Sequence, residues 1–177
     1  MSFFVVISNS VKEISFSYLE GRKRDLNDTV VTPARQKIQH FNRDKQGAQI
    51  LAKEIMHTNV ITLPHDATVE YTHKIFSKYN IHHAPVLEDG HVVGIISATD
   101  IHGVEETLLL KDESIEQKMA QTVLCVSSGT PMQHVIEVFL HESIHALPVL
   151  DDQFYLVGMI SQNDILKWIL KNKKYLK

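Results

Sequence analysis

Cysteine is nearly absent: Cys125 is the only one in 177 residues. No disulfide framework can form within the chain, which suits a reducing compartment. Cys125 lies in the apolar run Val123-Leu124-Cys125-Val126, beside no activating group, and reads as a buried core thiol. Long hydrophobic runs are missing too. None approaches the ~20 residues of a membrane span. Met1-Ser2-Phe3-Phe4-Val5-Val6-Ile7 lacks both a basic flank and a small-residue cleavage site, so a cytoplasmic address is expected. Catalytic signatures are also missing. There is no Gly-x-Ser-x-Gly, no Walker sequence, no Gly-x-Gly-x-x-Gly, no Cys-x-x-Cys and no His-Glu-x-x-His. An enzyme is therefore not expected. Strong charge of one sign is lacking as well. The net charge of -3 gives no reason to expect nucleic acid or an anionic membrane as partner. Residues 1–50 carry 8 Lys/Arg against 5 Asp/Glu, a mild excess that a solvated face explains.

What is present is a duplication. Ile81-His82-His83-Ala84-Pro85-Val86-Leu87 returns as Ile144-His145-Ala146-Leu147-Pro148-Val149-Leu150, an offset of 63. Val93-Gly94-Ile95-Ile96-Ser97-Ala98-Thr99-Asp100-Ile101 returns as Val157-Gly158-Met159-Ile160-Ser161-Gln162-Asn163-Asp164-Ile165, an offset of 64. One residue is inserted between the two elements, near Phe154. A repeat constrains architecture before any local signal does. Two copies are expected to pack about a pseudo-twofold axis, with any ligand in the cleft between them.

Each copy reads as a short helical stretch followed by β-α-β-β-α, an α/β pattern. The leading stretches end at Met56 and Met119, and Ser114-Ile115-Glu116-Gln117 has a capping-box form. Extended segments follow at 60–63 and 123–126. Thr72, Ile75, Phe76 and Tyr79 mark the apolar face of one helix, and Met132, Val135, Ile136 and Phe139 that of its counterpart. Thr130-Pro131-Met132-Gln133 predicts a capped start, with Pro at the first helical position. Strands 84–87 and 92–97 are joined at Asp89-Gly90, a hairpin signal. Their counterparts are 147–150 and 156–161. Closing helices start near Asp100 and Asp164 and carry Ile101, Leu108 and Leu109, or Ile165, Leu166 and Ile169. Before the repeats, 3–7 and 11–18 are β-prone and suggest a hairpin or edge strands. Gly21 to Lys45 reads as a polar connector. The division is a 1–48 extension, repeats at 49–112 and 113–172 joined near Lys111-Asp112-Glu113, and a basic tail at 173–177.

These two motifs, each present twice and in order, carry a resemblance. Residues 49–170 resemble a tandem pair of cystathionine-beta-synthase (CBS) domains, a Bateman module. The resemblance implies a regulatory sensor for an adenosine-containing ligand: AMP, ADP, ATP or S-adenosylmethionine. It requires no cofactor. It implies a homodimer, and an output through a regulated protein still to be identified or through the first fifty residues, with no catalytic domain attached. It implies two clefts, each drawing on both repeats. One would combine Ile81, His82 and Pro85 with Ser161, Asn163 and Asp164. The other would combine Ile144, His145 and Pro148 with Ser97, Thr99 and Asp100.

Physical chemistry supplies a role for each position, and a plainer one beside it. An ionised Asp100 or Asp164 can accept both hydroxyls of a ribose, or can merely cap its helix. Ser97, Thr99, Ser161 and Asn163 can meet a phosphate beside a helix N-terminus, or serve turn chemistry. Ile81 and Ile144 would flank an adenine, with Pro85 and Pro148 shaping the wall; all four also suit a plain core. His82 and His145 could meet a phosphate, more strongly when protonated. No Arg or Lys adjoins either Pro-Val element, so a polyphosphate is less well matched than a monophosphate or S-adenosylmethionine. Trp168 reads as a core or dimer contact. Eleven histidines invite a metal. However, His82 and His83 would point to opposite faces of an extended segment, and a helix end near Ser143 separates His141 from His145. Two rival readings stay open: a scaffold with empty clefts and a His-rich metal-responsive module.

Overall fold

The computed structural model describes residues 2–7, 10–20, 49–101 and 112–172. The connector 21–45, Leu108, Leu109, Lys111 and the tail 173–177 lie outside these. The elements are β1 (Phe3–Ile7), β2 (Ser10–Ile14), β3 (Leu63–Pro64), α1 (Val69–Tyr79), β4 (His83–Glu88) and β5 (His91–Ser97), then β6 (Thr122–Ser127), α2 (Met132–Glu142), β7 (Ala146–Leu150), β8 (Leu156–Ser161) and α3 (Gln162–Lys171). They form a mixed α/β fold with two sheets. One is ordered β3-β4-β5, the other β2-β1-β6-β7-β8.

The helices follow the expected periodicity. In α1, Val69, Thr72 and Phe76 are buried while Tyr79 is exposed; in α2, Val135, Val138 and Phe139 are buried. Both helices stop at a residue in the left-handed region, Asn80 (φ 51°) and Ser143 (φ 55°). Asp89 (φ 49°) and Gly90 (φ 82°) make the tight turn between β4 and β5. The second copy needs a longer loop there, in which Phe154 takes φ 65°. Asp151 Oδ1 secures that loop by accepting from the Gln153 and Tyr155 N–H groups at 2.9 Å each.

Several sequence expectations are corrected. The leading helical stretches are only 3-10 turns, Ala52–Glu54 and Ile115–Gln117. The 60–63 segment narrows to the two-residue β3, paired in parallel with Val86 and Leu87. Thr130 does not cap α2. It is fully buried, its hydroxyl donates to the Ser2 carbonyl at 3.1 Å, and Pro131 takes the cap position. The second β-prone run stops at Ile14, and Ser17–Glu20 forms a 3-10 turn. β1 is not an edge strand. It lies between β2 and β6, antiparallel to both.

The two repeats exchange their leading segments. Ala52 N–H donates to Thr130 O at 2.7 Å and Met132 N–H to Ile50 O at 2.8 Å. The mirror pair is Ile115 N–H to Ala67 O at 3.0 Å and Val69 N–H to Glu113 O at 2.9 Å. Ala52 and Ile55 of the first copy are therefore buried in the second copy's core, with Val135, Phe139, Leu147 and Ile160. Ile115 of the second copy is buried in the first copy's core, with Leu63, Phe76 and Ile96. A third apolar cluster lies between the sheets and joins Phe4 and Val6 of β1 to Val92, Val123, Cys125 and Leu150. This exchange brings His57, which ends the first copy's leading segment, to the second copy's Ser-x-x-Asp turn.

Candidate functional site

Each Ser-x-x-Asp motif folds into the same small cradle at the end of its strand. Asp100 Oδ2 accepts from the Ser97 N–H at 2.7 Å and from the Ser97 hydroxyl at 2.6 Å. The Ser97 proton is committed to Asp100, so the Thr99 hydroxyl donates to Ser97 Oγ at 2.7 Å. Asp164 Oδ2 likewise accepts from the Ser161 N–H at 2.8 Å and the Ser161 hydroxyl at 2.6 Å. In return the Asp164 N–H donates to Ser161 Oγ at 3.3 Å, which completes a capping box on α3. Capping is thus real, but it uses one carboxylate oxygen. In both motifs these bonds fall on Oδ2.

The glycine that leads each motif has a packing reason. A Cβ on Gly94 would stand 2.4 Å from Met119 Sδ, and one on Gly158 would stand 2.5 Å from Met56 Sδ. Each methionine ends the leading segment of the other repeat. The next residue then bridges the glycine-led strand: Ala120 pairs with Ile95, and His57 with Met159.

The cradles differ also in a contact across the repeats. The His57 ring extends to Asp164, with Nδ1 3.2 Å from Oδ2. Burial alone would raise the Asp164 pKa. The hydrogen bonds from His57 and Ser161, together with the His57 charge, outweigh it and bring the pKa down to about 2.

The Ile-His segments lie beside these turns. The Ala98 N–H donates to the His82 carbonyl at 2.9 Å, and the Gln162 N–H donates to the His145 carbonyl at 3.2 Å. The Gln162 amide also donates to Ile144 O at 3.2 Å. These bonds join each Ile-His segment to the Ser-x-x-Asp turn of its own repeat. Across the junction, the His83 and His145 rings lie 6.5 Å apart between centroids. Burial lowers the His83 pKa, the His145 and His82 charges lower it further, and Asp100 opposes them. His82 and His145 are exposed, Ile81 and Ile144 half-buried, and Asn163 exposed at the start of α3. Pro85 and Pro148 are buried in β4 and β7, opposite Ile95 and Met159.

His57 belongs here and has no role in the sequence reading, whereas His83 is weighed there beside His82. His83 is the inward member of the His82-His83 pair. His57 was detectable at the offset of 63, where matched Met56 and Met119 are followed by an unmatched His57 and Ala120. Among the described residues, no group of three or more His, Cys, Asp or Glu is placed to hold a metal ion. Among them, too, no helix is long and apolar enough to cross a membrane.

Two glycine-led Ser-x-x-Asp cradles on exchanged repeats define the class. The CBS domain family matches this chain twice, over residues 52–104 and 113–171, and the chain belongs to it. It is 28% identical over 119 residues to a homoserine O-acetyltransferase of Methanosarcina acetivorans, covering 67% of this chain and 22% of that protein. It is 30% identical over 125 residues to an L-aspartate semialdehyde sulfurtransferase of Methanocaldococcus jannaschii, covering 70% of this chain and 24% of that protein. The chain thus spans about a quarter or less of these relatives. Among solved structures it resembles the CBS domain pair of protein MJ0100 in complex with 5′-methylthioadenosine and S-adenosyl-L-methionine. The TM-score is 0.61 at 29% identity, over 70% of this chain and 98% of that one.

Proposed function

We propose that this chain is a regulatory module that binds an adenosine-containing ligand between its two CBS repeats and performs no catalysis of its own. The observation that carries the reading is the pair of cradles. Each presents an acidic side chain whose Oδ2 is fixed by its own serine at 2.6–2.8 Å, with Oδ1 outside those bonds. A fixed carboxylate is a ready acceptor for a vicinal diol, the group that distinguishes ribose. The similarity to a CBS pair solved with two adenosyl compounds supports the same choice.

One cleft would take Ser97, Thr99 and Asp100 with Ile144, His145 and Pro148. The other would take Ser161, Asn163 and Asp164 with Ile81, His82 and Pro85. The only basic side chains of the two Pro-Val elements are histidines, which favours a monophosphate or an adenosyl sulfonium over a triphosphate. Binding would change affinity for a regulated protein by favouring one arrangement of the repeats, because a ligand shifts only the equilibria it binds unequally. A homodimer would form through the outer helices, where Leu140, Leu166 and Leu170 are 58–63% exposed.

The test is a thermal-shift panel of AMP, ADP, ATP, S-adenosylmethionine and 5′-methylthioadenosine. A ligand at a hundredfold excess over Kd stabilises by about 2.7 kcal/mol. At least one compound should raise the midpoint. If every midpoint stays put, the clefts are not adenosyl sites and a scaffold role takes precedence.

A further inference from the structure

His57 follows repeat 1 in sequence but is held by repeat 2. Its N–H donates to Met159 O and its carbonyl accepts from the Met159 N–H, both at 3.0 Å. That bridge holds the ring over the Ser161–Asp164 turn. At the pseudo-symmetric position, Ala120 makes the same bridge to Ile95 at 2.9 and 3.1 Å. A methyl group offers Asp100 no hydrogen bond. The backbone is therefore repeated and the side chain is not.

The consequence falls on the two carboxylates. Asp164 Oδ2 has three donors, the Ser161 N–H, the Ser161 hydroxyl and His57 Nδ1, and the side chain is 16% exposed. Among the described residues Asp100 Oδ2 has two donors, both from Ser97, and Asp100 is exposed. A diol that engages both oxygens of a carboxylate finds one of them crowded at Asp164. Either the imidazole swings away or the diol settles for one bond.

We infer that His57 makes the clefts unequal: the Asp100 cleft is the primary adenosine site, and the Asp164 cleft is kept weak by an internal competitor. The inference rests on the adenosyl-binding reading above and adds an order of filling to it. Losing one hydrogen bond to a charged group corresponds to about tenfold in affinity.

The test is calorimetric titration of the full chain with AMP and, separately, with S-adenosylmethionine. Wild type should show one tighter site and one about tenfold weaker. Asp100→Ala should remove the tighter site and Asp164→Ala the weaker one. His57→Ala should tighten the weaker site about tenfold and leave the other unchanged. Ala120→His should weaken the tighter site. Ala120 and His57 are both exposed, so neither change threatens the core. If binding occurs but neither His57→Ala nor Ala120→His alters it, or if Asp164→Ala removes the tighter site, this inference is overturned while adenosyl binding stands. If neither compound binds wild type or any variant, this inference falls, and the adenosyl reading falls with it when the full thermal-shift panel is silent too.

Discussion

Gly94 and Gly158 have equal standing in the repeat but unequal surroundings. The three atoms nearest the Cβ of an alanine at Gly94 would all belong to the Met119 side chain. An alanine at Gly158 would meet Met56 Sδ at 2.5 Å and also the His57 carbonyl at 3.1 Å. A methionine can change rotamer, whereas a bridged backbone carbonyl cannot retreat cheaply. Both substitutions should destabilise, within the roughly 1–3 kcal/mol typical of overpacking. Gly158→Ala should cost more, and the urea midpoints of the two variants check this. Asp164 makes a second residue-scale prediction. Its folded pKa of about 2 lies below the ordinary 3.8, so its pairing stabilises the fold above about pH 4 and is lost as pH falls through about 2. His57 is 45% exposed and screened by solvent, so the contribution is at most about 1 kcal/mol. The stability gap between wild type and Asp164→Asn should shrink between pH 4 and pH 2. A gap that stays constant over that range would contradict the pairing.

At the scale of elements, the β1–β2 hairpin extends the second copy's sheet. Phe4 of β1 stands directly opposite Cys125 of β6, and its ring meets Phe154 of the longer loop edge-on at 5.2 Å between centroids. The longer loop of the second copy thus contacts the N-terminal extension. Burial pushes the Cys125 thiol up to about 12, so the thiolate is scarce and reagents find it inert. Phe4→Ala should cost about 3 kcal/mol, toward the lower end for such truncations because the hairpin can partly relax. It should also speed Cys125 alkylation by iodoacetamide, followed by mass spectrometry. An unchanged alkylation rate would place the protection elsewhere. The hairpin, the Asp89-Gly90 turn and the apolar faces of α1 and α2 were legible in the sequence, because each depends on neighbours within about ten residues. The cradles were half legible. Ser97 with Asp100 and Ser161 with Asp164 are local pairs that the motif announces. The His57 contact crosses 107 residues, and no local pattern encodes it. Thr130 misled for the same reason: its capping signal is local, but burial beside the N-terminal strand gave its hydroxyl a distant acceptor in Ser2.

At the scale of the whole molecule, the exchange of leading segments decides how the repeats behave together. Residues 113–172 alone would lack Ala52 and Ile55, which fill the second copy's core, and Phe3, which packs there from β1. The first copy would lack Ile115 and Met119 in the same way. Neither copy closes its own core, so the unit of stability is the pair. The proposed ligand between the repeats would therefore act on both cores at once. The prediction is cooperative unfolding with one transition. Trp168 packs against the second copy's core and reports on that copy by fluorescence, while far-UV circular dichroism reports on both. In a urea titration of the full chain the two curves should coincide, as two-state unfolding requires. A fragment of residues 113–172 should show no cooperative transition. If the fluorescence and dichroism midpoints separate clearly, or the fragment folds cooperatively, the repeats are independent and the exchanged segments are only ties between them.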